Sequence, residues 1–224
     1  FISDIIDEAE HTTAASIVVP MVAVGNGPIQ TVNASVQNAR IGNGGSEHRT
    51  GAGGRFVDHG HHAIMRLDAF RAVGGYAPTF SHNEDAELDT RLTKAGYNIW
   101  LTEKTSVTYF PRNSLSGLAR QYMNYGRGRA RNILKHRTRP RLRQCIVTGV
   151  APALGLGLLS PIMPILALPA GVWMATCIIA GLAVSWRRRR PLLALGGPVS
   201  MLMHAAWSVG FWLQIFSTRS RHAA

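Results

Sequence analysis

Two stretches of this sequence carry no Asp, Glu, Lys or Arg: Cys145 to Trp186, 42 residues, and Pro191 to Phe216, 26 residues. A helix needs about 20 apolar residues to cross the hydrocarbon core of a bilayer. The first run is therefore long enough for two spans and the second for one. Pro161, Pro164 and Pro169 each offer a turn within the first run. Helices in a water-soluble core seldom exceed about 20 residues or stay uncharged for so long. Basic clusters flank the runs, Lys135 to Arg143 before the first and Arg187–Arg190 after it. Such clusters stay on the cytoplasmic side, so the first two spans read as a hairpin. The third run is open: Arg219 and Arg221 favour a cytoplasmic end, and Gly196-Gly197-Pro198 allows a re-entrant segment.

Charge is divided as sharply as hydropathy. All 12 acids lie between Asp4 and Glu103, whereas residues 111–224 hold 16 of the 24 basic residues and no acid. A net charge of +12 ordinarily points to nucleic acid. Here the basic residues bracket apolar runs, so a membrane is the expected partner and nucleic acid is not. A chain that is 46% hydrophobic and 16% charged is no disordered tail. Two cysteines in apolar surroundings, Cys145 and Cys177, do not make a disulfide scaffold. No secretory leader opens the chain, which places residues 1–144 in the cytosol. It also opens without Met, on FISDIIDEAE. That reads as the middle of an amphipathic helix and gives the expectation of a fragment or truncated product.

Periodicity over residues 1–110 gives mixed α/β structure. Ile2, Ile5, Ile6 and Ala9 share a helix face. Ala15 to Val22 reads as one buried strand. Ile29, Val32, Val36 and Ala39 mark a second helix. Gly42 to Gly54 holds six glycines and reads as a mobile loop; it lacks the Lys-Ser/Thr ending of a P-loop. His61 to Arg66 is a short strand, and Asp68 to Val73 a short helix closed by Gly74-Gly75. Tyr97 to Leu101 and Thr105 to Phe110 are strands. Four or so strands in 110 residues look like part of a domain.

The densest chemistry is His82-Asn83-Glu84-Asp85-Ala86-Glu87-Leu88-Asp89. Asn83 is placed to cap a helix that runs through Leu88 and Leu92 to a stop at Gly96. Acids at a helix start are stabilised by its dipole, by about 0.3–1 kcal/mol each. Yet Asp85 and Asp89 are i,i+4, as are Glu84 and Leu88, so one carboxylate face points toward the core. A general base that deprotonates a hydroxyl is a reason for an ionised acid to be there. Glu87 reads as a solvent face, and Asp89 as a partner of Arg91 or Lys94.

Gly60 to Arg66, Gly74-Gly75-Tyr76, Glu84-Asp85 and Leu92 to Tyr97 occur in order over about 40 residues. In these motifs the chain resembles the second half of a bacterial family 2 glycosyltransferase of the GT-A fold. With SHNEDAELD, YGRGRA and the apolar tail, it is most similar to the membrane-anchored exopolysaccharide glucosyltransferases of the succinoglycan type. The resemblance covers essentially the whole chain, as the C-terminal two-thirds of such an enzyme. It implies a partial GT-A domain followed by a transmembrane helical region, and Asp85 as catalytic base. The family's Asp-x-Asp motif and donor-binding β-α-β half are absent from residues 1–30. Ligands for the implied Mg²⁺ or Mn²⁺ are therefore expected upstream of this chain.

Gln121 to Arg129 lies where many of these enzymes carry Gln-x-x-Arg-Trp. Gln121 matches, Asn124 and Tyr125 depart, and guanidinium is displaced to Arg127 and Arg129. The resemblance implies that Gln121, Tyr125, Arg127 and Arg129 meet the donor diphosphate; Arg forks suit its oxygens. The same residues also read as a membrane-surface helix. Leu115, Leu118, Tyr122 and Tyr125 then form one face, with Arg120, Asn124, Arg127 and Arg131 opposite. Gly126 and Gly128 weaken it and let Arg127 turn. The two readings can coexist.

Asp58-His59-Gly60-His61-His62 raises a metal, but adjacent ligands on a strand point to opposite faces. His61 and His62, with Glu84, are expected at the acceptor sugar instead. Together these readings divide the chain into a catalytic part (1–110), a basic interfacial segment (111–144), a transmembrane region of about three helices (145–216) and a tail (217–224). The function they imply is an inverting transferase at the bacterial inner membrane. It would pass glucose from UDP-glucose to a lipid-linked saccharide in exopolysaccharide synthesis. The competing reading is a truncated, non-catalytic membrane fragment or partner-binding subunit.

Overall fold

A computed structural model describes residues 2–45 and 53–222, with side chains to residue 218. Much of the glycine-rich loop expected over 42–54 therefore lies outside the described residues. The chain forms two compact units, one of residues 1–23 and 45–109, the other of 24–44 and 110–224. The second unit thus takes in residues 24–44, which the sequence groups with the first 110.

The first unit is built on a four-stranded sheet ordered β3-β5-β1-β4 and a two-stranded sheet β2-β6. These strands are β1 (Ser16–Val18), β2 (Met21–Ala23), β3 (Arg55–Val57), β4 (Ile64–Met65), β5 (Ile99–Leu101) and β6 (Val107–Tyr109). β1 runs parallel to β5 and antiparallel to β4; β2 runs parallel to β6. The single strand expected over 15–22 is two. Pro20 has no N–H to give a ladder, and the chain changes sheets there. The strand expected over 61–66 shrinks to Ile64–Met65, because His62 takes a left-handed φ of 53° that breaks an extended path. β3 has no counterpart in the sequence reading; it is three residues between glycine-containing turns.

Helices α1 (Ile2–His11), α4 (Leu67–Ala72) and α5 (Glu84–Lys94) belong to this unit. In α1 the buried residues are Ile5 and Glu8, while Ile2 and Ile6 are exposed. The face is rotated from the all-isoleucine stripe because Glu8 accepts a 2.6 Å bond from Trp100 Nε1. α5 packs Leu88 and Leu92 against Ala15, just before β1, and Ala69 of α4. It ends at Gly96, φ 85°, with Tyr97 N–H on the Leu92 carbonyl and Gly96 N–H on that of Thr93. This closes the last turn, and the left-handed position favours glycine.

The second unit holds α2 (Pro28–Asn38), α3 (Arg40–Asn43), α6 (Leu115–His136), α7 (Leu142–Thr148), α8 (Val150–Gly157), α9 (Leu168–Arg188) and α10 (Gly196–His222). Val32 and Val36 of α2, Leu118 of α6, and Val199 and Met203 of α10 make its core cluster. α6 runs unbroken through Gly126 and Gly128, so these glycines do not loosen it. They lie buried, and Gly126 lets α10 come close: a Cβ there would sit 2.0 Å from the Trp207 carbonyl oxygen. Gly210 returns the fit, its Cβ position 2.0 Å from the Met123 oxygen.

Two segments are long and apolar enough to cross a bilayer: Pro164–Arg188, mean hydropathy 2.0, and Pro191–Thr218, mean hydropathy 1.4. The expected third is missing among the described residues. Residues 142–157 form α7 and α8, only 7 and 8 residues long. Even end to end they reach about 24 Å, short of the roughly 30 Å core. The helix breaks because Pro152 cannot donate to the Thr148 carbonyl. That oxygen instead accepts from Ser208 Oγ (2.8 Å) and Trp212 Nε1 (2.9 Å) of α10, while Ala151 N–H donates to Ser208 Oγ (3.0 Å).

Candidate active site

The first unit contains a polar pocket of about 270 Å³, lined by Gly60, His61, His62, Ala63, Met65, Tyr76, Asp85 and Asp89. Three short segments supply it. α5 provides the two carboxylates one turn apart, the loop between β3 and β4 provides the histidines, and the turn after α4 provides Tyr76.

Asp85 sits at the mouth, its side chain 33% exposed. Its Oδ2 lies 3.0 Å from His61 Nδ1, and its Oδ1 accepts from Tyr76 Oη at 3.2 Å. Burial pushes the Asp85 carboxyl up, but the hydrogen bond and charge of His61 and the Tyr76 hydroxyl outweigh it and hold the group below the usual carboxylate range. An ionised carboxylate only accepts, so His61 Nδ1 carries the proton. Burial, then the Asp85 charge, pushes the Tyr76 phenol up to about 12, so it keeps its proton and donates.

Asp89 is the opposite case. It is 1% exposed, and burial raises its carboxyl to about 7, against the pull of the Gly60 N–H. Its Oδ2 is 2.7 Å from His59 Nδ1 and 3.2 Å from Gly60 N. The pairing expected with Arg91 or Lys94 is thus replaced by one to the histidine loop. Arg91 takes Glu87 instead, at 2.7 Å, and Glu87 is fully buried rather than solvent-facing. Arg91 also donates to the carbonyls of Val73 and Gly75. It thereby ties α5 to the Gly74-Gly75 turn, whose φ values of 82° and 64° suit glycine. That turn aims Tyr76 at Asp85.

Asn83 precedes α5 as expected but with φ 62°, and its side chain makes no cap bond; the left-handed backbone turns it away. Glu84 begins α5 but does not line the pocket, whereas His61 and His62 do. His62 Nε2 approaches Met21 Sδ at 3.1 Å. Gln121, Tyr125, Arg127 and Arg129 all fall on α6 of the second unit, where Gln121 Nε2 donates to Tyr125 Oη at 2.8 Å. Tyr76 and Asp89 line the pocket, and His59 stands behind it on Asp89, yet the sequence reading gave none of the three a role in the site. Their signals were there in the glycine pair before Tyr76 and the i,i+4 spacing of the two aspartates.

Among the described residues no group of three His, Cys, Asp or Glu is placed to hold a metal ion. His59 pairs with Asp89 and His61 with Asp85.

The first unit is thus a mixed α/β unit with a polar pocket built around two carboxylates, and the chain also carries two apolar helices long enough to cross a bilayer. The chain belongs to glycosyl transferase family 21, whose model matches residues 1–221; the motifs had suggested family 2. It is 50% identical over 219 residues to the succinoglycan biosynthesis protein ExoA of Rhizobium meliloti (strain 1021). The match covers 98% of this chain and 66% of that protein, so the chain spans just under two thirds of its relative. No solved structure matches.

Proposed function

We propose that this chain is the acceptor and base portion of an inverting glycosyltransferase of the GT-A type. Asp85 at the pocket carries the reading: a carboxylate kept ionised by two donors, yet open enough to meet a hydroxyl. The acceptor oxygen attacks the anomeric carbon of the donor as its proton passes to Asp85. The new C–O bond forms while the bond from that carbon to the diphosphate breaks, and the nucleoside diphosphate departs. A low-basicity carboxylate takes the proton only once bonding has made the hydroxyl acidic, so its help falls on the transition state. His61 and Tyr76 fix the carboxylate's direction, and His61 and His62 line the space for the acceptor sugar. Glu84 stands beside the base at the same helix start.

UDP-glucose as donor, a lipid-linked saccharide as acceptor, and the inner face of a bacterial membrane complete the proposal. The two apolar helices and the relative's part in succinoglycan biosynthesis support it. Gln121, Tyr125, Arg127 and Arg129 are proposed to meet the donor diphosphate. Mg²⁺ or Mn²⁺, held by residues outside this chain, would neutralise the charge of the leaving diphosphate.

The test is sugar transfer from radiolabelled UDP-glucose by membranes holding a form as long as the relative. Loss of a general base typically costs 10²–10⁴-fold in rate. Asp85→Asn keeps the side-chain size and the helix start, so kcat is expected to fall by that factor at normal membrane yield. Near-normal turnover of Asp85→Asn sinks the assignment.

A further inference from the structure

The loop that carries His61 has no strand or helix to stiffen it between Val57 and Ile64. Its position must come from tertiary contacts. Asp89 Oδ2 takes both the Gly60 N–H and the His59 ring. Val19 N–H donates to the His61 carbonyl at 3.0 Å. Gly60 lies so close to Val18 that a Cβ would sit 2.3 Å from Val18 Cγ2. The His59 ring then meets the His61 ring edge-on, centroids 4.8 Å apart, and His61 reaches Asp85. Asp85 and Asp89 stand one turn apart on α5, so a single rigid helix holds both ends of this chain of contacts.

We infer that Asp89 is a positioning residue: its carboxyl clamps the His59-Gly60-His61 turn and so sets the His61–Asp85 pair at the pocket. This rests on the proposed role of Asp85 for its consequence in catalysis, but not for its geometry. Asp89 reaches the pocket wall only 1% exposed, and its Oδ2 already holds two donors, whereas Asp85 at the mouth is the carboxylate open to a hydroxyl. One oxygen atom makes both bonds, so an amide oxygen can replace it. Near-neutral titration of Asp89 agrees, since a clamp made by one accepting oxygen does not need the charge.

The experiment uses the 224-residue chain in detergent with ¹⁵N-labelled histidine, the His61 signals assigned through His61→Ala. Asp85→Ala gives the Nδ1 shift of a His61 that has lost its partner. Asp89→Ala is expected to move the His61 Nδ1 resonance most of the way to that position, and Asp89→Asn to leave it close to the wild-type one. Should Asp89→Ala fail to fold, His59→Ala removes one of the two clamp bonds and is expected to move the resonance part of the way. A His61 resonance unmoved in the folded Asp89→Ala or His59→Ala chain overturns the inference.

A kinetic arm in the longer form separates it from the base assignment. Asp89→Ala is expected to lower kcat about 10–100-fold, the scale of a misplaced catalytic group, with KM changed less than about threefold and much of kcat recovered in Asp89→Asn. If Asp85→Asn stays active while the resonance still follows Asp89, the clamp stands and the base assignment falls. If Asp89→Ala moves the resonance but Asp89→Asn moves it equally, the single-oxygen clamp is wrong.

Discussion

Arg91 ties α5 to a neighbouring turn of the first unit. It neutralises the fully buried Glu87 and holds the carbonyls of Val73 and Gly75. Removing one partner of a buried pair leaves an uncompensated charge and costs about 3–5 kcal/mol. Arg91→Met is therefore expected to destabilise this unit by that amount, read as faster hydrogen exchange of the α5 amides. Glu87→Gln, which leaves the guanidinium partners among the carbonyls, is expected to cost less. Asp89 gives a second expectation. Its folded value of about 7 lies above the ordinary carboxylate value, so the native state holds a proton that the unfolded chain releases. Its stabilising contribution is full below about pH 4 and is lost as pH rises through about 7. The exchange protection of α5 in Asp89→Asn should therefore gain on the wild type across that window. A pH-independent difference between the two contradicts the raised value. The place of Asp85 at a helix start, second in an acid pair, was legible because those are local signals, while its reading as the base came from the family resemblance. The sequence hid the burial of Glu87 and Asp89, since the groups that satisfy them, Val73, Gly75, His59 and Gly60, come from other segments.

At the scale of elements, α6 and α10 meet backbone to backbone through Gly126 and Gly210. Glycines read in sequence as breaks in a helix are instead points of close approach, a role that only the partner helix reveals. α5, by contrast, stops where expected, since Gly96 and Tyr97 close it with bonds that stay within six residues. The break before Pro152 is also a property of two elements. Ser208 accepts from Ala151 and donates to Thr148, filling the gap in the helix ladder. Ser208→Ala leaves the Ala151 N–H without that acceptor, while Trp212 still serves Thr148. Since that donor is only part-buried, a cost near the low end of the range for a stranded donor, about 1 kcal/mol, is expected. Gly126→Leu should cost more, because backbone blocks its Cβ. Thermal unfolding in detergent checks both, and a melting point unchanged in Gly126→Leu contradicts the crossing.

For the whole molecule, Pro164–Arg188 and Pro191–Thr218 carry the expectation of membrane residence. Exposed side chains such as Leu168, Val172, Ile179 and Leu182 on α9 suit lipid. Tagged chain should stay in the pellet on alkaline carbonate extraction; release into the supernatant contradicts it. The second unit joins the chain's beginning to its end. Val32 and Val36 find their core partners in Val199 and Met203. Synthesis proceeds at about 5–20 residues per second, so roughly ten to thirty seconds separate the emergence of Val36 from that of Val199. During that interval α2 has made its apolar side and has nothing to cover it from α10. A helix made long after α2 is thus the one that completes its shelter. A nascent chain halted before residue 199 should be held by chaperones, while one released after residue 218 should not.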